Sequence, residues 1–483
     1  MSNIKKLAGQ TATYGLPSII GRILNYILVP IYTDTFLPQE YGIVSEFYAY
    51  VGFFVILLMM GMETTFFRFV NKAVDKEKTF NQAFSIVLVV NVIFLITIVS
   101  FSQSIANWMR YPDMANYVIC FAFILVVDAL SSLFLVKLRF QQKARQFATI
   151  QFAAILTNIL LNLFFIYVLM DPENDPIGIG YIFIANLFSS MVKPILLYKQ
   201  VIQYRFVMEK VQAIKMLVYA FPLMLAGFAG IINETFDRIM IKRLLMDKGQ
   251  EFAQAQVGIY SASYKLSIMI SLFIQAYRYA AEPFFFEQAK KADGNKVYSK
   301  IMTYFVIIVS LMFLVISLNI PIFKWFIPNP AYWEGLKIVP ILLLANVFLG
   351  IYYNQSIWYK LSDQTKYGAY LAIGGAVITI VLNFILIPFM GYMGSAITTL
   401  VVYFSMMVGS YIMGQKHYPI HYNLRKVGLY LFSAIGLFGL SRLLLGNTLE
   451  FNWSTFLING LFLLVFIGLV LFIERPFKQL RKT

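Results

Sequence analysis

The sequence predicts an all-α polytopic membrane protein of about fourteen transmembrane helices, in two six-helix lobes related by a parallel pseudo-two-fold repeat, plus two C-terminal helices. Three observations predict it. Apolar stretches of spanning length recur from end to end, the basic residues fall on alternate connections, and four short segments of the first half return in order in the second.

A chain of 483 residues would ordinarily hold several soluble domains, but 60% hydrophobic and 13% charged residues describe a chain solvated mainly by lipid. A bilayer core needs about 20 apolar residues per helix. Stretches that meet this lie near 11–33, 41–62, 80–102, 114–136, 148–170, 177–198, 213–236, 255–277, 301–323, 336–358, 367–389, 391–413, 427–445 and 454–473. No polar segment between them is long enough for a soluble domain. The opening "MSNIKKLAGQ" precedes an apolar run that carries Arg22 and lacks a small-residue cleavage site, so it reads as a retained first helix.

The net charge of +16 is explained by orientation rather than by nucleic acid. Twenty-nine of the 39 basic residues lie at the termini or in even-numbered connections, in groups such as Arg68, Lys72, Lys76 and Lys78, or Lys137, Arg139, Lys143 and Arg145. The odd-numbered connections hold Arg110, Arg238, Lys242, Arg243, Lys248, Lys324, Lys337 and Arg442, and two of them, "DTFLPQE" and "DPENDP", carry acids without bases. This bias places both termini of the multi-pass chain in the cytoplasm.

The repeat is weak but ordered. "YGLP" ending at Pro17 matches "YAFP" ending at Pro222, "YGIVSEFY" (41–48) matches "VGIYSASY" (257–264), and "LRFQQKAR" (138–145) matches "YKLSDQTK" (359–366). "LLN" ending at Asn162 then matches "VLN" ending at Asn383. A unit of six spans enters the membrane from the same side in both copies, the arrangement of transporters built from parallel repeats. The division is therefore 1–210 for spans 1–6, 211–420 for spans 7–12, and 421–483 for spans 13 and 14 with the tail.

Charges inside spans mark function, because a guanidinium at the bilayer centre costs at least ~2.5–3.5 kcal/mol. Ser18, Arg22 and Asn25 share one face of span 1, and Ser261 and Lys265 lie one turn apart on span 8. Arg22 alone could snorkel to the interface, whereas Lys265 sits about ten residues from either end of its expected span. Together they predict a water-filled, positively charged cavity between the lobes and an anionic substrate. Glu46 and Asp128 are the acids well inside spans, read either as charge neutralisers or as carriers of a coupling ion. Asn346, Tyr353, Asn354, Gln355 and Trp358 of span 10 suit sugar hydroxyls, but helix packing and an aromatic belt explain them more simply.

The remaining candidates are bland. Cys120 sits in an apolar run and reads as a buried structural thiol. His417 and His421 are separated by Pro419, which breaks the helical spacing a metal pair needs, so no metal and no cofactor are expected. A phosphate-binding lysine loop, a nucleophile elbow and a paired acid in a large loop are all lacking, which argues against an enzyme such as a membrane-embedded polymerase or acyltransferase. A cation-coupled multidrug exporter remains the main alternative, although organic cations call for an acidic cavity; a structural scaffold would leave the intramembrane charges unexplained.

The stretch "VPIYTDTFLPQEYGIVSEFY" (29–48), with "LRFQQKARQF" (138–147) and the run from "LLN" to "GIG" (160–180), resembles the bacterial polysaccharide-biosynthesis flippases of the multidrug/oligosaccharidyl-lipid/polysaccharide superfamily. The sequence departs from that family at Asp34, a position often basic in relatives, and no role is assigned to it. The resemblance implies a two-lobed, fourteen-helix transporter. Its substrate would be an undecaprenyl-pyrophosphate-linked sugar unit for O-antigen, capsule or a related polymer, carried to the outer leaflet. It also implies contact with membrane lipid and an association with glycosyltransferases and a polysaccharide polymerase. A basic pocket at Arg22 and Lys265 suits the pyrophosphate.

Overall fold

The computed structural model describes residues 20–21, 23–171, 175–288, 294–446 and 449–474. Hydrocarbon offers no partner to a backbone N–H or C=O, so a spanning segment must satisfy each within its own helix. Among the described residues, twelve helices are long and apolar enough to cross a membrane, and Gly180–Leu196 is a shorter apolar one. Much of the expected first span lies outside the described residues.

The chain forms two compact units. Of the described residues, one comprises 43–239 with those up to Leu28; the other comprises Val29–Gly42 and those from Met240 onward. In order, the helices are α1 (Leu28–Thr35), α2 (Pro38–Met59), α3 (Met62–Val70), α4 (Lys76–Ser100), α5 (Ser102–Trp108), α6 (Ala115–Phe140), α7 (Ala144–Phe164), α8 (Gly180–Leu196) and α9 (Lys210–Leu245). There follow α10 (Gln250–Gln288), α11 (Gly294–Leu318), α12 (Val339–Gln355), α13 (Ile357–Leu361), α14 (Lys366–Met390), α15 (Tyr392–His417), α16 (Leu424–Leu445) and α17 (Trp453–Glu474).

In the first unit α6 is the most buried span, packed against α4 and α8. Phe66, Phe80, Phe84 and Phe134 fill the core where α3, α4 and α6 meet. Ion pairs gather at the same end: Lys137 reaches Glu77 at 2.6 Å, Arg139 pairs with Glu63, and Lys78 with Glu209. The buried Lys137 ammonium also lies 4.4 Å from the Phe80 ring centroid, so its stem and its charge both have partners.

In the second unit α10, α11 and α12 form the core, while α16 and α17 are the most exposed spans. Asn346 of α12 accepts from the Ser271 hydroxyl at 2.8 Å and donates to the Ser267 carbonyl at 3.2 Å, tying α12 to α10. Asn354 bonds the Tyr277 hydroxyl, and the Trp358 indole N–H donates to Ser410 at 3.3 Å. Asn346, Asn354 and Trp358 of span 10 are thus consumed by helix packing, whereas the Gln355 side-chain oxygen is buried without a hydrogen-bond partner among the described residues. Ser395 donates to Asn383 across the α14–α15 hairpin at 2.8 Å. Arg442 and Asn459 hold α16 and α17 by donating to the Ser317 and Leu318 carbonyls at the end of α11.

The repeat is visible in the backbone. After α6 the chain turns through Gln142 at φ 59°, and after α13 through Asp363 at φ 57°. Lys143 N–H donates to the Leu138 carbonyl at 2.9 Å, and Gln364 N–H donates to the Tyr359 carbonyl at 2.8 Å. Both turns sit at the same place in the matched segments "LRFQQKAR" and "YKLSDQTK", so one left-handed helix stop is used twice.

A second pair of matched residues meets in space. Within the second unit, a Cβ built on Gly42 would run into the carbonyl oxygen of Gln254, and one built on Gly258 into that of Pro38. Each glycine faces the carbonyl four residues before the other, so the starts of α2 and α10 cross backbone to backbone. Tyr332 closes the same contact by donating to the Phe36 carbonyl at 2.8 Å and meeting Tyr41 edge to face. The quoted stretch at 29–48 therefore owes its glycine to a helix crossing that no larger residue fits.

Three element boundaries differ from the sequence expectation. Span 2 is broken, with Met60 (φ 46°) and Gly61 (φ 65°) left-handed between α2 and α3, and Gly61 lies against Leu223 and Ala220 of α9. The helix of span 7 runs on to Leu245, so Arg238, Lys242 and Arg243 lie on a helix rather than in a connection, and Lys242 is fully buried. Span 8 extends over 39 residues, far longer than a bilayer core requires.

Substituting Gly42→Ala or Gly258→Ala should destabilise the protein by about 1–3 kcal/mol, the usual cost of overpacking. The double variant should cost less than the sum of the two, because one displacement of the crossing relieves both clashes. Thermal unfolding of the purified variants tests this, and strictly additive losses would contradict a shared crossing.

Candidate functional site

The residues singled out from the sequence fall into three groups. Ser18 and Arg22 lie outside the described residues. Asn25 is exposed, with its side-chain oxygen 3.4 Å from the Asn158 amide of α7, and Asn162 donates in turn to the Asn158 carbonyl at 2.7 Å. The first span thus meets α7 through a short ladder of amides, with Gly21 also lying close against Ile155.

On α10, Lys265 is half-buried, and Ser261 one turn earlier is 2% exposed. The Ser261 hydroxyl has no hydrogen-bond partner among the described residues. Helical periodicity places the two residues one turn apart on the same face of α10. Such a face can present a cation and a hydroxyl to an anionic group, and it contains no nucleophile–base arrangement.

The two acids occupy different surroundings. Glu46 of α2 is fully buried, and the Tyr111 hydroxyl donates to its Oε2 at 2.6 Å. Phe47 stacks on Tyr111 with centroids 5.9 Å apart and on Phe121 at 5.1 Å, so the ring that holds the carboxyl is itself clamped. Asp128 of α6 accepts from the Lys193 ammonium of α8 at 2.8 Å. Lys193, one of the 29 basic residues that the sequence assigns to the termini and even-numbered connections, lies in the last turn of α8, where its charge compensates Asp128.

Sequence reasoning missed Tyr111, which follows a left-handed Arg110 (φ 65°) after the short helix α5. Nothing local marks it, because its partner is 65 residues away. It also missed that bases assigned to the odd-numbered connections have partners within the fold. Arg238 bonds Asp237 at 2.8 Å, Lys248 donates to the Pro388 carbonyl at 3.0 Å, and Lys324 lies 4.1 Å from the Trp333 ring centroid. Lys337 lies over Tyr392, and Arg442 donates to Ser317.

The acidic hairpin "DPENDP" ends in a built turn. Asp175 accepts from the Ile177 N–H at 2.7 Å and from the Gly178 and Asp171 N–H groups. Partial desolvation pushes the Asp175 carboxyl up, but these backbone donors and the Tyr181 hydroxyl outweigh it and hold it below the ordinary carboxylate value. Among the described residues, no three His, Cys, Asp or Glu side chains come together as metal ligands.

The described helices make a polytopic helical fold, and that fold is shared with solved membrane proteins. A solved lipid II flippase MurJ, in an inward closed conformation, matches with a TM-score of 0.71 and 13% identity, over 96% of this chain and 99% of that one. An inward-facing multidrug resistance transporter of the MATE family matches with a TM-score of 0.62 and 15% identity, over 87% and 98%. The model of the family described as "Polysaccharide biosynthesis protein" matches residues 8–289, more than half of the chain, and the protein belongs to that family. A curated relative, the "Lsg locus putative protein 1" of Haemophilus influenzae, is 23% identical over 429 residues, covering 83% of this chain and 98% of its own.

Replacing Tyr111 by Phe removes the hydroxyl that Glu46 uses and should destabilise the protein by about 1–3 kcal/mol. Most of that loss should vanish when Glu46→Leu is combined with it, since the buried carboxyl is then gone. Thermal melts of the single and double variants decide this; equal stability of Tyr111→Phe and the wild type would show that the bond carries no weight.

Proposed function

We propose that the protein is a flippase that translocates a polyprenyl-pyrophosphate-linked oligosaccharide across the bacterial inner membrane by alternating access. The observation that carries this reading is the family match over residues 8–289, and the fold shared with a lipid II flippase supports it. Residues 1–210 and 211–420 act as the two lobes, with 421–483 appended. Arg22 and Lys265 bind the diphosphate, assisted by Ser18, Asn25 and Ser261. A guanidinium offers paired donors to phosphate oxygens, while an ammonium acts as a point charge. The Lys193 ion pair favours charge neutralisation for Asp128, while Glu46 is left as the candidate for ion coupling. Glycosyltransferases that build the lipid-linked unit and a polymerase that consumes it are the natural associates.

The orientation is part of the proposal: both termini in the cytoplasm and "DPENDP" outside. Internal pairing of odd-connection bases supports it, because these residues are retained by the fold rather than by a preference of their loops. With Cys120 replaced by Ala, a cysteine at Asp175 should react with an impermeant thiol reagent applied to intact cells, and a C-terminal tag should stay protected. Both sites on one side would overturn the topology.

Flipping by purified protein in vesicles, assayed with a lipid-linked oligosaccharide, tests the function. Arg22→Ala and Lys265→Ala should each slow flipping by at least about ten-fold at matched protein level, a loss of ~1.4 kcal/mol. Arg22→Lys should recover part of the rate because the charge is kept. Wild-type rates in both alanine variants would remove these residues from the site, and export of an organic cation without flipping would replace the whole reading.

A further inference from the structure

The first unit contains a cavity of about 230 Å³ walled by α2, α4, α5 and α6. Phe47 and Phe54 of α2, Phe94 of α4, Trp108 of α5, and Phe121 and Ala122 of α6 form its main surfaces. Of all its lining side chains only Tyr50 and Trp108 carry a nitrogen or oxygen. We propose that this cavity is a binding site for the hydrocarbon chain of a bilayer phospholipid.

The lining excludes the other ordinary fillings. Water needs two to four polar partners, which these walls do not offer, while an apolar void of ~150 Å³ is enough to bind benzene. An empty space of this size would forfeit the dispersion contacts of many ring atoms. No charged side chain lines it, so neither a headgroup nor a diphosphate is held there. The ligand is an alkyl chain. Its source follows from the lining itself: Trp108 of α5 is 60% exposed and Val51, Phe54, Ile98 and Ile105 are half-buried, so the cavity reaches the outer surface through apolar side chains. In a membrane that surface is covered by acyl chains, and one of them is the nearest available occupant.

The site bears on the buried acid. Phe47 is both a wall of the cavity and the ring stacked on Tyr111, whose hydroxyl bonds Glu46. A chain in the cavity therefore keeps the wall seated behind that carboxyl, and the stability of the unit responds to lipid.

The test is photolabelling of the full chain in phospholipid nanodiscs, with a diazirine in the acyl chain and the labelled peptides mapped by mass spectrometry. Label should appear on the segments 47–54, 94–98 and 118–125. Ala122→Phe, which places a ring in the cavity, and Val51→Phe, which narrows it from α2, should each cut that label about ten-fold, the loss expected when two methylene groups are excluded. Label on the exposed residues of α17, such as Leu464, should stay unchanged. Absence of label from the three segments in the wild type would overturn the proposal, as would equal labelling in both variants. A polyprenyl phosphate that displaces the phospholipid label at a small molar fraction would reassign the cavity to the isoprenoid tail, which also overturns it.

Discussion

Hydrocarbon cannot hydrogen-bond, so a polar group carried into the bundle is costly unless it finds a partner within the protein. That constraint orders the interior of both units. Glu46 has Tyr111, Asp128 has Lys193, Asn346 has Ser271 and Ser267, and Asn383 has Ser395. The last three pairs each join two helices, and the first ties α2 to the segment after α5, so the same contacts that offset the cost of burial fix which elements are neighbours. The cation–aromatic contacts of Lys137 and Lys324 extend the rule to the helix ends, where an ammonium is kept beside an electron-rich face.

Close approach of backbones is the second device. Lipid tails are as apolar as leucine, so helix association depends on packing, and glycine permits the nearest packing. The crossing of Gly42 and Gly258 applies it at positions that correspond in the two repeats, which gives the local contact its own two-fold character. The left-handed stops at Gln142 and Asp363 show the same inheritance in a turn. Duplicated geometry at duplicated positions is a stronger sign of an internal repeat than the four short sequence matches that suggested it.

The positions of the twelve spans among the described residues were legible because hydropathy over some 20 residues is set by the solvent, lipid, rather than by tertiary detail. Two of the matched segments coincide with residues whose backbone geometry is demanding, notably "YG" at 41–42 and "VG" at 257–258. What escaped notice depends on partners distant in sequence. Met60 and Gly61 break span 2 inside an apolar run, where hydropathy stays high through the break. Arg238, Lys242 and Arg243 read as a loop, yet protein rather than lipid surrounds that end of α9, which permits charges on a helix. Lys193 read as one more cytoplasmic base until Asp128 appeared opposite it. The pairing of Lys265 with Ser261 follows from spacing alone, while Arg22 and Ser18 rest on the sequence.

The central claim is recognition of an anionic, lipid-linked head by a site whose charges are basic. Thermal stabilisation of the purified wild-type protein by a polyprenyl pyrophosphate tests it most directly, with the neutral polyprenol and a lipophilic organic cation as references. The account predicts a concentration-dependent rise in Tm with the pyrophosphate that weakens as salt is added, and none with the polyprenol or the cation. Stabilisation by the organic cation with no response to the pyrophosphate would contradict it.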